Sequence, residues 1–220
     1  MLISHGKFWV EVLLPALLAT FKMTVYTAII SSILGTLLAV LLVITNKGGI
    51  MQNKYLYGIL SFIINVIRSF PFIILIIFII PFTKLIAGTS IGVKGALVPL
   101  VVAGTAYISK IIENALKEVD PILIQSMKSF GLSDSQVIFK VMFSEALPAI
   151  VSGIILATIS ILGCTAMAGT VGAGGVGAVS IIYGYQSFRK DVMYVTVAIL
   201  IILVQLIQTL GDKVYWKMKN

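Results

Sequence analysis

The sequence predicts an all-α membrane protein with five transmembrane helices, and three observations carry that prediction. Of its 220 residues 59% are hydrophobic and only 11% are charged, whereas soluble domains carry about 25% charged residues to wet their surfaces. The mean hydropathy of +1.11 agrees. The apolar residues gather in stretches of the roughly 20 residues a helix needs to cross about 30 Å of hydrocarbon. One His and one Cys leave no disulfide, no zinc cluster and no Cys/His nucleophile pair within the chain. A water-soluble globular enzyme is excluded on these grounds. The net charge of +8 comes from 16 Lys and Arg against 8 Asp and Glu, with no basic run longer than Arg189-Lys190. That excess reads as membrane orientation rather than nucleic-acid binding.

The first span is placed at 23–44, an uncharged stretch with small residues at Ser31, Ser32, Gly35 and Ala39. It is too long for a signal-peptide core, and Lys7, Glu11 and Lys22 interrupt the stretch before it. Asn46-Lys47-Gly48-Gly49 then makes a turn. The second span, 57–80, is interrupted by Arg68, and Pro71 three residues on should kink it. The third, 95–112, opens in a Gly- and Pro-rich stretch beside Lys94 and has its centre at 98–108. The fourth, 146–168, carries Pro148 in its first turn, where a missing N–H costs nothing. The fifth, 192–210, ends in Gly211-Asp212-Lys213.

Five spans put the two ends on opposite sides. Lys47, Lys54, Arg68, Lys110, Lys117, Lys128, Lys140, Lys213, Lys217 and Lys219 fall on one set of connections, ten basic residues against six on the other. The positive-inside rule then places the N-terminus outside and the C-terminus in the cytoplasm.

The polar interval 113–143, between spans three and four, does not read as a tether. Asp120 before Pro121 is a helix cap followed by proline at the first helical position. Ile122, Leu123, Met127 and Phe130 follow at roughly helical spacing. Gly131 ends that helix, and Ser133 with Gln136 opens another with a capping box. A short helix, a glycine turn and a second helix form a compact cytoplasmic knob. The residues alone leave two readings, a hairpin resting on the membrane and a docking element for a groove on a partner.

The stretch IQSMKSFGLSDSQVIFKVMFSEALPAIVSG resembles the cytoplasmic loop of type I ABC importer permeases. Gly131 and Pro148 fall where that family has its glycine and proline. Gln125, Ser126 and Met127 stand where it has Glu-Ala-Ala, a departure that weakens any claim about contacts of that glutamate but keeps the apolar–glycine–apolar skeleton. The motifs IRSFPFIILIIFIIPFTKLIAGTSIG, ENAL, AMAGTVGAGGVG and GDK are similar to the methionine-importer permeases in particular, and span about two-thirds of the chain.

The resemblance implies a type I permease fold, a single membrane domain over 1–220 with its core at about 19–210. It implies a bacterial inner or plasma membrane location and a homodimer with the pathway on its two-fold axis. Two ABC ATPase subunits would hold the ATP and Mg, an extracytoplasmic binding (lipo)protein would deliver an amino acid such as methionine, and lipid would surround the spans. This chain itself would bind no cofactor and act on no covalent bond, since it carries no Gly-x4-Gly-Lys-Ser/Thr loop. The ATPase-coupling loop would comprise Gln125, Ser126, Met127, Phe130, Gly131, Leu132, Ser133 and Gln136.

Other residues invite more than one reading. Gly172 to Gly177 fits the pattern of a dinucleotide-binding loop, but what precedes it is a membrane helix rather than a strand. Gly169, Gly172, Gly174, Gly175 and Gly177, with Pro148, read better as helix packing or a hinge, because small residues let backbones approach closely. Gly153/Ala157 and Ala168/Gly172 show the same small-residue spacing. Met167 is adaptable filler on general grounds, and a translocation gate if the resemblance holds. Arg68 is expensive inside a membrane, so it either faces the bundle or flanks the cytoplasmic interface, the reading favoured here. Cys164 reads as a small buried hydrophobe and His5 as an exposed terminal residue. The carboxylates lie mainly in loops, with no facing pair for a proton relay. A permease for another amino acid or small solute is the alternative within the ABC class. An ion-coupled secondary transporter, the alternative outside it, needs midplane ionisable residues and an internal repeat that this chain does not display.

Overall fold

The structure is a computed structural model that describes residues 5–219, with the side chains of 7–218. The side chain of His5 lies outside these. No strand occurs among the described residues. Helix α1 runs Trp9–Thr45, with one further turn at His5–Phe8 ahead of it. Lys22 does not interrupt it, because its side chain points outward from a helix whose opposite face is buried. That buried face is Thr20, Thr24, Thr27, Ser31, Gly35 and Ala39, recurring every three or four residues.

This stripe lies against α5 (Gly92–Lys117). A Cβ on Gly35 would come within 2.8 Å of the Ile108 side chain, and one on Gly104 within 2.5 Å of the Ser31 hydroxyl. Ser31 donates its hydroxyl to the Val101 carbonyl at 3.2 Å. Lipid tails are as apolar as the helices themselves, so association comes from such close packing and interhelical hydrogen bonds.

Between them the chain forms α2 (Lys54–Ser69), α3 (Phe72–Phe78) and α4 (Ile80–Ala87). The expected kink at Pro71 is a complete break, with α2 and α3 bent by 110°. The ring of Pro71 disfavours helical geometry at the residue before it, and Phe70 is extended at φ −72°, ψ 129°. Among the described residues four helices are long and apolar enough to cross a membrane, and the bent pair α2–α3 makes up to five.

The knob is smaller than the sequence suggests. Helix α5 continues to Lys117, α6 is Pro121–Ser129, and α7 (Asp134–Ala173) begins at once after the glycine turn. The second helix of the expected knob and the fourth span are therefore one helix, with a π-type turn over Val137–Met142. Pro148 consequently sits inside α7 rather than in a first turn. The Ser133 cap starts the helix, and Val137, Ile138, Met142, Ala146 and Ile150 give it a buried face that carries it past the proline. These residues pack with Ile108, Ile112 and Leu116 of α5 and Val43 of α1 into the largest core cluster.

Helical geometry fails at Val171 and Gly172 (φ 93°). The chain then folds back as α8 (Val176–Val179), continued in a π-type turn over Ser180–Gln186, where the sequence suggested only a connection. Helix α9 (Lys190–Lys219) runs straight through Gly211. That glycine does not end the helix: a Cβ there would meet Ile155 of α7 at 2.5 Å, so it serves close packing instead.

Candidate coupling face and translocation segment

At one end of the molecule α6 and the start of α7 form a sharply defined turn. Asp120 accepts the Ile122 N–H at 2.8 Å, capping α6 before Pro121. Gly131 takes φ 88°, a conformation costing other residues about 1–2 kcal/mol. The Ser133 hydroxyl accepts the Gln136 N–H at 3.4 Å, and the Gln136 side chain accepts the Ser133 N–H at 2.9 Å, the reciprocal capping box. Lys128 and Asp134 close the turn with an ion pair of 2.6 Å.

The apolar stripe of α6 is divided between two jobs. Leu123, Ile124, Met127 and Leu132 pack onto the main core cluster. Ile122 and Phe130 point away from it, 71% and 78% exposed, and Phe139 of α7 is also exposed. Gln125, Gly131, Ser133 and Gln136 are exposed and Ser126 is half-buried. The docking residues expected from sequence thus share one end of the molecule, with α6 seated by one edge and apolar on the other.

Beneath that seat is a cluster the sequence reading missed. Glu113 is fully buried within α5, not in a loop. Its carboxylate accepts from Lys110 at 2.8 Å, Lys117 at 2.5 Å and the Tyr57 hydroxyl at 3.0 Å. Lys117 also donates to the Tyr57 hydroxyl at 3.1 Å and lies 5.1 Å from its ring centre. The spacing of Lys110, Glu113 and Lys117 at three and four residues was the available signal, since such positions share a helix face.

At the other end of α7 the glycine segment makes a tight reversal. Gly172, Gly174 and Gly175 all have positive φ. A Cβ on Gly169 would meet the Ala178 backbone at 2.8 Å, and one on Gly177 would collide with Ala166. The Val176 N–H donates to the Thr20 hydroxyl at 2.9 Å, fastening the reversal to α1. Its neighbours are α7 and a short helix, not the strand and sheet of a dinucleotide site.

Met167 precedes this reversal and is 48% exposed, on the same face of α7 as the exposed Ser160, Gly163 and Thr170. Cys164 is half-buried, packed against the cluster containing Leu100 and Ile76. Arg68 lies in the last turn of α2, 5.9 Å from the Tyr107 ring centre. Since α2 begins at Lys54, Arg68 is about 21 Å along it at 1.5 Å per residue, one residue before the helix ends at Ser69.

The sequence model of one family, described as "Binding-protein-dependent transport system inner membrane component", matches residues 43–215. The chain belongs to that family. It is the membrane permease component that forms the pathway of such a system. This permease is similar to the probable D-methionine transport system permease protein MetI of Vibrio cholerae, 41% identical over 202 residues, 92% of this chain and 90% of the relative. It is similar also to the methionine import system permease protein MetP of Bacillus subtilis, 41% identical over 172 residues and 78% of each chain. A solved structure of the inward-facing MetNI methionine ABC transporter matches with a TM-score of 0.92 and 38% identity, over 98% of this chain and 99% of that one. An amino acid ABC transporter crystallised with histidines shares the fold at a TM-score of 0.81 and 18% identity.

Proposed function

We propose that this permease imports methionine, as a homodimer driven by two ABC ATPase subunits and fed by an extracytoplasmic binding protein. The observation that carries the reading is the near-complete match to a methionine transporter's structure at 38% identity. ATP and Mg belong to the ATPases. The turn around Gly131 is the lever: α6 is held by caps at both ends and seated on the core, so a push on Ile122, Phe130 or Phe139 moves α5 and α7 together. Rocking of α5 and α7 opens the pathway alternately to either side, and Met167 closes it at rest. The coupling end faces the cytoplasm, with the N-terminus outside and the C-terminus inside, as the distribution of basic residues supports, nine to six once Arg68, far along α2, is left out.

The test is uptake of labelled methionine into proteoliposomes containing this chain, its ATPase and its binding protein. Uptake requiring ATP and the binding protein, competed by methionine alone, is the expected result. ATP-dependent uptake of a different solute would keep the transporter and replace the substrate. Uptake driven by an ion gradient without ATP would overturn the reading.

A further inference from the structure

A cavity of about 230 Å³ opens where α2 breaks from α3, against α5 and α7. Drug-sized ligands fill about 300–1,000 Å³, so this space suits something smaller, of single amino-acid size. Phe72, Leu75, Leu100 and Ile161 make its wall apolar. Arg68 and Tyr107 stand on its rim, and Ser160 and Cys164 line it from α7. Ser160, Cys164 and Met167 are spaced by four and three residues, so the cavity and Met167 share one face of α7.

Arg68 has no ion pair among the described residues, where the ion pairs involve Lys110, Lys117, Lys128 and Arg189. It faces a ring and an apolar space instead. A cation without an acidic partner, beside an apolar cavity, is suited to receive an anionic group. The break after Ser69 also leaves the last carbonyls of α2 short of intrahelical donors, the Phe70 N–H returning only to Ile67. One site therefore offers a guanidinium for a carboxylate and an apolar wall for a side chain.

The geometry points to a substrate subsite in this cavity, in which Arg68 binds the α-carboxylate of an amino acid with an unbranched apolar side chain. This rests on the proposed import of such an amino acid. The guanidinium presents paired N–H donors to both carboxylate oxygens, a match that lysine's point charge does not reproduce. The site lies one turn from Met167, so the substrate is held on the pathway beside the gate.

Cys164 is the only cysteine of the chain, so it reports on the cavity without engineering. The assembled transporter, in liposomes, is treated with methyl methanethiosulfonate, and modification of Cys164 is timed by mass spectrometry. A Ser160→Cys, Cys164→Ala variant supplies a second thiol on the exposed neighbour of the same face. Methionine and norleucine are expected to slow modification, and methioninamide, which lacks the carboxylate, is not. Arg68→Gln is expected to raise the half-protecting methionine concentration by about tenfold or more, the scale of one charge-assisted hydrogen bond. Arg68→Lys should recover only part of it, and unprotected labelling rates should not change.

Equal protection by methioninamide, or undiminished protection in Arg68→Gln, overturns the carboxylate anchor. Modification that is indifferent to methionine at both thiols, in a preparation that imports methionine, overturns the subsite while leaving the proposed function standing. Protection by another apolar amino acid, in a preparation that does not import methionine, keeps the subsite and overturns the substrate. An unprotected labelling rate that rises when the liposomes are made from phosphate-free lipid identifies a lipid headgroup in the cavity and overturns the proposal.

Discussion

The hydroxyl of Tyr57 donates to the carboxylate of Glu113 at 3.0 Å, tying the first turn of α2 to the last turns of α5. The carboxylate is fully buried, while Lys110 and Lys117 reach solvent with 22% and 35% of their side-chain surface. Removing one member of a buried pair costs about 3–5 kcal/mol, and the low end applies because both lysines can turn outward. Glu113→Ala should therefore lower thermal stability in detergent well below wild type. Tyr57→Phe deletes two hydrogen bonds, each worth about 1 kcal/mol, but leaves both lysines on the carboxylate and should cost less than Glu113→Ala. Melting curves of the three proteins check the order, and Tyr57→Phe matching Glu113→Ala would contradict it.

Gly131 has φ 88° and open space where a Cβ would go, so substitution there meets backbone strain rather than a clash. Gly131→Asp should uncouple or release the ATPase, since it combines that strain with a charge beside Phe130. Gly131→Asn, which tolerates the left-handed region, should keep more of the transport than Gly131→Asp. Normal ATP-driven uptake by Gly131→Asp would count heavily against docking at this turn.

Met167→Ala should leave assembly intact, because the side chain is half exposed and fills no core. The resting transporter should become leakier, or spend more ATP per substrate moved. Passive efflux from loaded proteoliposomes and the ratio of ATP to substrate measure the two effects. A variant unchanged in both would remove Met167 from the gate.

Two glycines of α7 and its reversal should respond oppositely. A Cβ at Gly163 meets nothing within 4 Å, so Gly163→Ala should be tolerated and even gain about 1 kcal/mol of helix propensity. A Cβ at Gly177 collides with Ala166, so Gly177→Val should force the reversal apart and abolish folded transporter. Size-exclusion profiles of the purified variants separate the outcomes.

Where structure depends on a local chemical pattern, the sequence disclosed it. The Asp120-Pro121 start, the Gly131 turn and the Ser133/Gln136 box are each complete within a few residues, and each appears as read. The elements that were misread depend on distant partners. Pro148 looked like a helix start because nothing local shows that the Ser133 cap and a buried face hold α7 together upstream. Gly211 looked like a stop because its reason is Ile155, more than fifty residues away. Glu113 looked like loop because a buried carboxylate is credible only beside Tyr57, on another helix. The break at Pro71 was foreseen in place but not in size, since propriety of a kink is local whereas a 110° turn is set by what both halves pack against.

Every group that neutralises Glu113 lies between Tyr57 and Lys117, ahead of α6 in the chain. During synthesis the first 117 residues leave the ribosome ahead of the coupling helix, and the polar cluster needs nothing beyond them. The growing chain can thus settle its most costly buried charge early, and Leu123 and Met127 arrive when the α5 side of their seat is available and the α7 side is still to come. A nascent chain halted once Lys117 has cleared the ribosome would already hold every partner of Glu113.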